Sequence, residues 1–176
     1  VENSTIKLVP PSMERAHSML EAIIESEHEL RQFLPWVDYA LTESDSITNT
    51  QEAIKNFENF TGELRYSIIR KSDDYFLGAV GLIIRDKSVP FFEIGYWLRT
   101  SETGKGYVSE AIALLEKYAF DECGANRVEI TAASTNLNSR SVAERCGYQL
   151  DAKLVNARRL PSGELSDTIV YSKTDL

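Results

Sequence analysis

The stretch Glu93–Phe120, EIGYWLRTSETGKGYVSEAIALLEKYAF, ends a strand-like run, passes two glycines around a lysine and enters a helical pattern at once. The helical part places Val108, Ala111, Ile112, Leu115, Tyr118 and Ala119 along one face. A strand running straight into a helix leaves the first-turn N–H groups unpaired, at the positive end of the helix dipole. Gly104 and Gly106 remove two side chains there, so the backbone can wrap an anion, and Lys105 adds charge at the rim. Taken alone, the turn is a phosphate or pyrophosphate cradle, or a tight turn with no ligand. Two familiar cradles fail on the spacing. Walker A needs a glycine five positions before Gly104, where Arg99 stands, and Lys105 is followed by Gly106 rather than Ser or Thr. The dinucleotide fingerprint needs a third glycine where Ser109 stands.

Outward from this junction the periods alternate. ELRYSIIR, YFLGAVGLIIR and FFEIGYWLRT read as a three-strand meander joined by KSDD and DKSVP. Before it, STIKLVPP is a short strand, and a first helix carries Met13, Ala16, Leu20, Ile23 and Ile24, with Ser12 as N-cap. A loop follows, holding Phe33, Trp36 and Tyr39 around Pro35. The second helix shows Ile47, Ile54, Phe57 and Phe60, closed by Gly62. After the long helix, NRVEITAA is a strand, NSRSVAERCGY a short helix closed by Gly147, and the last residues a hairpin through PSGE. The order is β-α-α-β-β-β-α-β-α-β-β, a mixed α/β (α+β) chain read as one domain over residues 1–176, with a parallel neighbour reached through the long helix.

The totals narrow the function. The chain has 176 residues, net charge −8 and a pI near 4.9, with no Lys/Arg stripe to track a phosphate backbone, so nucleic acid is not expected as a partner. No apolar run approaches the roughly 18–20 residues a bilayer span needs, so no membrane is expected. The chain starts at Val1 rather than Met, which fits loss of an upstream piece, and shows no secretory signal. Cys123 and Cys146 are isolated and His17 and His28 lack ligand spacing, so no metal is expected and a reducing, cytoplasmic setting fits.

Three pieces together, EIGYWL, TGKGY and TNLNSRSVAERCGY, resemble the GNAT superfamily of acyl-coenzyme-A-dependent N-acyltransferases. With FLPW after the first helix, the chain is most similar to the RimL and RimJ type, the ribosomal-protein N-terminal acetyltransferases. The resemblance covers nearly the whole chain in element order and is most specific from Glu93 to Tyr148. It implies a mostly antiparallel central sheet flanked by helices, acetyl-CoA as co-substrate, and often a homodimer. Trp97, Leu98 and Arg99 would offer a strand edge to pantetheine, and Thr103, Gly104, Lys105, Gly106 and Tyr107 would meet the pyrophosphate. Ser101 departs from the family's Q/R at the head of that loop. Asn136 would fix pantetheine, against an Asx turn as its structural role. Ser139 would assist the departing thiolate, against service as a helix N-cap. Tyr148 reads as a packing residue.

The implied reaction moves an acetyl group from a thioester to an amine by direct attack. An α-amino group with pKa about 8 is roughly a tenth neutral at pH 7, and a lysine under about 0.1%, so an N-terminal acceptor asks less of its base. Glu93 is the candidate base, against a structural ion pair; some relatives carry a carboxylate where Arg158 stands here. Phe33, Trp36 and Tyr39 would line the acceptor site, against core anchoring of their loop. The acceptor is expected to be a protein N-terminus. A small amine (antibiotic, aminoacyl-nucleotide or polyamine type), a non-catalytic acyl-CoA-binding module and a plain nucleotide binder are the other readings.

Overall fold

The meander is the centre of the sheet. The computed structural model describes residues 1–175. Its strands are β1 (Ile6–Val9), β2 (Glu63–Arg70), β3 (Tyr75–Asp86), β4 (Phe91–Leu98), β5 (Arg127–Ala133), β6 (Gln149–Arg159) and β7 (Leu165–Lys173). The helices are α1 (Ala16–Glu25), α2 (Glu27–Leu30), α3 (Glu43–Asn59), α4 (Tyr107–Asp121) and α5 (Leu137–Arg145), with 3-10 turns at Met13–Arg15, Pro35–Tyr39 and Thr100–Glu102. The sheet order is β1-β2-β3-β4-β5-β7-β6, antiparallel except for the β4–β5 pair, and α4 supplies the crossover that parallel neighbours require.

Strand alternation gives the sheet two unlike faces. On one, Leu64, Tyr66, Ile68, Val80, Leu82, Phe92, Ile94 and Leu98 meet Ala111, Ile112, Leu115 and Ala119 of α4, the stripe expected from its spacing. On the other, Ile69, Phe76, Ala79 and Trp97 are covered by Met19, Ala22 and Ile23 of α1 and by Val37 and Ala40 of the following loop. Further along this second face the side chains turn polar or vanish, with the rows Glu63–Ile83–Glu93 and Arg65–Gly81–Gly95 in register across β2, β3 and β4. That polar half is open and forms the floor of a cleft.

The helices before the meander depart from the sequence reading in instructive ways. The first helix is interrupted at Ser26, fully buried, whose Oγ accepts a hydrogen bond from the Thr100 N–H at 2.9 Å. Ser12 precedes a 3-10 turn and its side chain caps nothing. Met13 and Ile24 are exposed. α3 is capped by Thr42, which accepts from the Asp45 N–H, and ends at Phe60 in the left-handed region (φ 50°) rather than at Gly62. Its buried positions are Ser46, Thr50 and Ala53. Ile47 is exposed, while Phe57 packs edge-on against Tyr66. The polar stripe faces inward because α3 borders the cleft and α1, where the Ser46 hydroxyl donates to the Ala16 carbonyl.

Gly78 on β3 faces Leu98 in the ladder, and a Cβ on it would lie 2.2 Å from the Trp97 carbonyl oxygen. Backbone cannot yield there as a flexible side chain can. Gly78→Ala is therefore expected to lower the unfolding free energy by about 2 kcal/mol or more, the overpacking range, measured by denaturant titration.

Candidate active site

Strands β4 and β5 pair only from Phe91↔Arg127 to Glu93↔Glu129. Beyond that point β4 continues against β3 as far as Gly78↔Leu98, and β5 against β7 as far as Ala133↔Thr168. The facing edges of residues 94–98 and 130–133 are thus unpaired with each other, which backbone groups do not tolerate unless something else satisfies them. The gap opens into a cleft of about 1450 Å³ lined by Trp97, Leu98, Thr103, Gly104, Gly106, Tyr107, Asn136 and Ser139 at one end. Phe33, Trp36, Tyr39, Glu63, Arg65, Glu93 and Arg158 line the other.

At the head of α4, Gly104 and Gly106 have φ of +77° and +86°, and a Cβ on either would meet no atom within 4 Å. The glycines serve the left-handed backbone, and the space above them is open. Gly106 is the N-cap and offers no side chain, so the first N–H groups of α4 have no side-chain cap. Thr103 has spent its N–H on the Thr100 carbonyl, and Lys105 is drawn back to Glu102 at 2.9 Å. The Thr103 N–H is thus taken, and the Lys105 ammonium is paired rather than free at the rim.

Trp97 and Leu98 are both buried, one in each core, as adjacent strand residues must be. Arg99 departs further. It is 5% exposed and turned away from the cleft: its Nε donates to the Phe76 carbonyl, its guanidinium pairs with Glu25 and lies 4.7 Å over the Tyr75 ring. Its N–H donates to the Leu77 carbonyl and its carbonyl accepts from the Glu102 N–H, so its backbone too is tied into the fold. It is an anchor. Ser101 donates to Glu25 at 2.6 Å and Thr100 to Glu29 at 3.1 Å, so the whole approach to the glycine turn is fastened to α1 and α2.

At the other lip of the gap, Asn136 caps α5 by accepting the Ser139 N–H at 3.2 Å. The cap role weighed for Ser139 belongs to Asn136, which leaves the Ser139 hydroxyl free of it. That hydroxyl lies 2.9 Å from the Tyr96 hydroxyl, which also donates to the Ser139 carbonyl at 3.2 Å. Burial pushes the Tyr96 phenol up to about 12, with the Ser139 hydrogen bond acting the other way. Sequence reasoning missed Tyr96 because 43 residues separate it from Ser139. Tyr148 is 3% exposed and packs in the core, as expected. Cys146 packs half-buried beside that core and burial raises its thiol.

The end of the cleft around Trp36 is lined by side chains rather than backbone. Trp36 tilts against Trp97 with ring centroids 5.9 Å apart, while Tyr39 is 75% exposed at the mouth. The loop is anchored chiefly by the buried Val37 and Ala40, with Trp36, 36% exposed, resting against Trp97. Glu93 accepts from Arg85 Nε and from the Thr131 hydroxyl, both at 2.9 Å. Both of its oxygens are engaged, the structural ion pair weighed against a catalytic role. Arg158 donates to Thr168 and Thr131 and lies beside Glu93. Glu63, across the sheet, was not singled out in the sequence.

Residues 6–149 match the Acetyltransferase (GNAT) domain family. The chain belongs to the GNAT acetyltransferases. It is 30% identical over 97% of its length to YdaF of Bacillus subtilis (strain 168), which carries a provisional ribosomal N-acetyltransferase name, and covers 91% of that protein. It is 29% identical over 88% of its length to the ribosomal-protein-serine acetyltransferase of Escherichia coli (strain K12), covering 84% of it. Among solved structures it is similar to the microcin C7 self-immunity acetyltransferase MccE, determined with acetyl-CoA and AMP. The TM-score is 0.90 and the identity 28%, over 98% of this chain and 94% of that one. The mixed, mostly antiparallel sheet flanked by helices is the GNAT fold, and the protein is an acetyltransferase. Among the described residues no group of three or more His, Cys, Asp or Glu is placed to hold a metal, and no helix is long and apolar enough to cross a membrane.

The Ser101 hydroxyl first, then Arg99, holds the Glu25 carboxyl below its usual range, against the opposing effect of burial. A lowered acid stabilises the fold above its unfolded pKa and loses that contribution as pH falls through its folded one. Glu25→Gln is therefore expected to lower the Tm at pH 7, with the difference from wild type closing as pH drops below about 4.5. Melts across that range check it.

Proposed function

We propose that this acetyltransferase carries an acetyl group from acetyl-CoA to a primary amine, the α-amino group of a protein N-terminus, by direct attack with both substrates bound. The observation that carries the reading is the Tyr96–Ser139 hydroxyl pair at the lip of the β4–β5 gap. The unpaired edges of β4 and β5 suit the amides of pantetheine, which pair as an added strand does. The uncapped, glycine-flanked start of α4 suits the pyrophosphate. The thioester then lies near Ser139, whose hydroxyl can give a proton to the sulfur while Tyr96 replaces it.

In atoms, the neutral amine forms the C–N bond, the C–S bond breaks, and the sulfur takes its proton from the Ser139–Tyr96 pair. The proton shed by the new amide nitrogen restores that pair. Trp36 and Phe33 bound the acceptor, with Tyr39 at the entrance. Glu93 keeps Arg85 and Thr131 in place on the floor. The cleft volume of about 1450 Å³ and the likeness to ribosomal N-acetyltransferases support a peptide acceptor. A small amine is the second reading, supported by the paired Trp36 and Trp97 rings and by the likeness to MccE, determined with AMP.

Acetyl-CoA is expected to raise the Tm as a ligand of the native state must, and ATP to do so much less; absence of a shift at millimolar acetyl-CoA sinks the reading. Release of free thiol with N-terminal peptides, compared with small amines, separates the two acceptors. Ser139→Ala should cut turnover by about 100-fold while the Kd for coenzyme A changes little. Tyr96→Phe should add little to that loss in the double variant, because the two act as one unit. Undiminished turnover in Ser139→Ala removes it from the chemistry.

A further inference from the structure

Attack needs the amine without its extra proton, and the carboxylate expected to take it, Glu93, has both oxygens occupied. The cleft holds a second candidate. Glu63 sits at the start of β2, on the same face as Glu93 and two strands away, paired through Ile83. Among the described residues it makes no salt bridge and no side-chain hydrogen bond, although it is half-buried and lines the cleft. Its carboxyl leans from its own row into the next one. A Cβ on Gly81 would lie 1.8 Å from Glu63 Oε1 and 2.6 Å from its Cδ, so the carboxyl rests on bare backbone where any other residue would displace it.

Gly81 in turn pairs with Gly95 on β4. Gly95 lies within the unpaired edge of β4, one residue before Tyr96, and a Cβ on it would meet only Ile83 Cδ1, at 3.6 Å. Strands lie about 4.8 Å apart. The Glu63 carboxyl is thus about one strand spacing from the place where β4 opens, over the paired glycines Gly81 and Gly95 with Ile83 beside them. Its charged surroundings are Arg65 on its own strand, Glu52 of α3 facing Arg65, and Glu93 of β4, itself paired to Arg85.

Resting on the acetyl-transfer reading above, we propose that Glu63 binds the acceptor as an ammonium and removes its proton, and that Gly81 and Gly95 are glycines to leave room for that amine. The carboxylate takes one proton from R–NH3⁺, giving the neutral amine and a carboxylic acid that returns the proton to solvent. The attack and the thiol proton then follow as already described, so the balance is one amide, one thiol and one proton released. Burial, helped by the charge of Glu93 and opposed by Arg65, raises the Glu63 carboxyl, which makes it a better proton acceptor than an exposed one.

The test is Glu63→Gln, with thiol release followed against an alanyl peptide from pH 6 to 9. The kcat/KM for the peptide should fall by about 100-fold at pH 7, within the range for a general base. The deficit should shrink as pH rises toward the pKa of the amine, because the variant depends on amine that is already neutral. Gly81→Ala, which pushes the carboxyl aside, should show the same pattern and add nothing in the Glu63→Gln background. The Tm gives an independent reading. A raised acid costs stability once pH exceeds its unfolded pKa, and fully so above its folded one, so Glu63→Gln should melt at or above the wild-type temperature at pH 8. A loss under threefold, or a deficit independent of pH, overturns the assignment, as does Glu93→Gln alone producing the pH pattern. Wild-type protein that releases no thiol with any amine overturns the acetyl-transfer reading and this one with it. Active wild type with an equally active Glu63→Gln overturns this one alone.

Discussion

Two strands that run together for three residues and then part set the geometry of everything else. The parting is enforced from both sides. β5 is held to β7 along its length, so it cannot follow β4. β4 is pulled the other way, because Arg99 at its end is buried against Phe76, Leu77, Tyr75 and Glu25. A buried guanidinium is tolerated only with its donors occupied, and here those partners lie on β3 and α1. The buried arginine therefore ties the end of β4 to β3 and α1 as β4 parts from β5.

From that constraint the division of labour follows. At the glycine-turn end the groups on offer are backbone, the unpaired strand edges and uncapped helix N–H groups. At the other end they are side chains, where the face of the sheet changes from apolar cover under α1 to Glu63, Arg65 and Glu93. The hydroxyl pair of Tyr96 and Ser139 stands between the two ends, one from the strand and one from the helix that frames the gap.

What could be read from the sequence was what is local. The glycine turn, the α4 stripe and the Asn136–Tyr148 segment are continuous stretches, and each came out as an element of the expected kind. The misreadings share a cause: they concern where a side chain goes once distant strands meet. Arg99 beside the turn looks like the end of an open strand edge until Glu25 and Phe76 claim its side chain. Ser26 looks like an ordinary helix residue until the Thr100 N–H needs an acceptor. Ile47 looks like core, but α3 turns Ser46 and Thr50 inward because it borders a polar cleft. Tyr96 and Glu63 gain meaning only from register: one reaches α5, and the other lies on Gly81.

The break at Ser26 has a further meaning. The helix that stops there continues into the loop bearing Trp36, and the atom that stops it grips the strand-to-turn joint at Thr100. Trp36 in turn leans on Trp97, three residues before that joint. Loop and turn are therefore tied together at two places three residues apart, the Trp97 ring and the Thr100 N–H, so the position of Trp36 and the path into Gly104 are fixed by the same short stretch of chain.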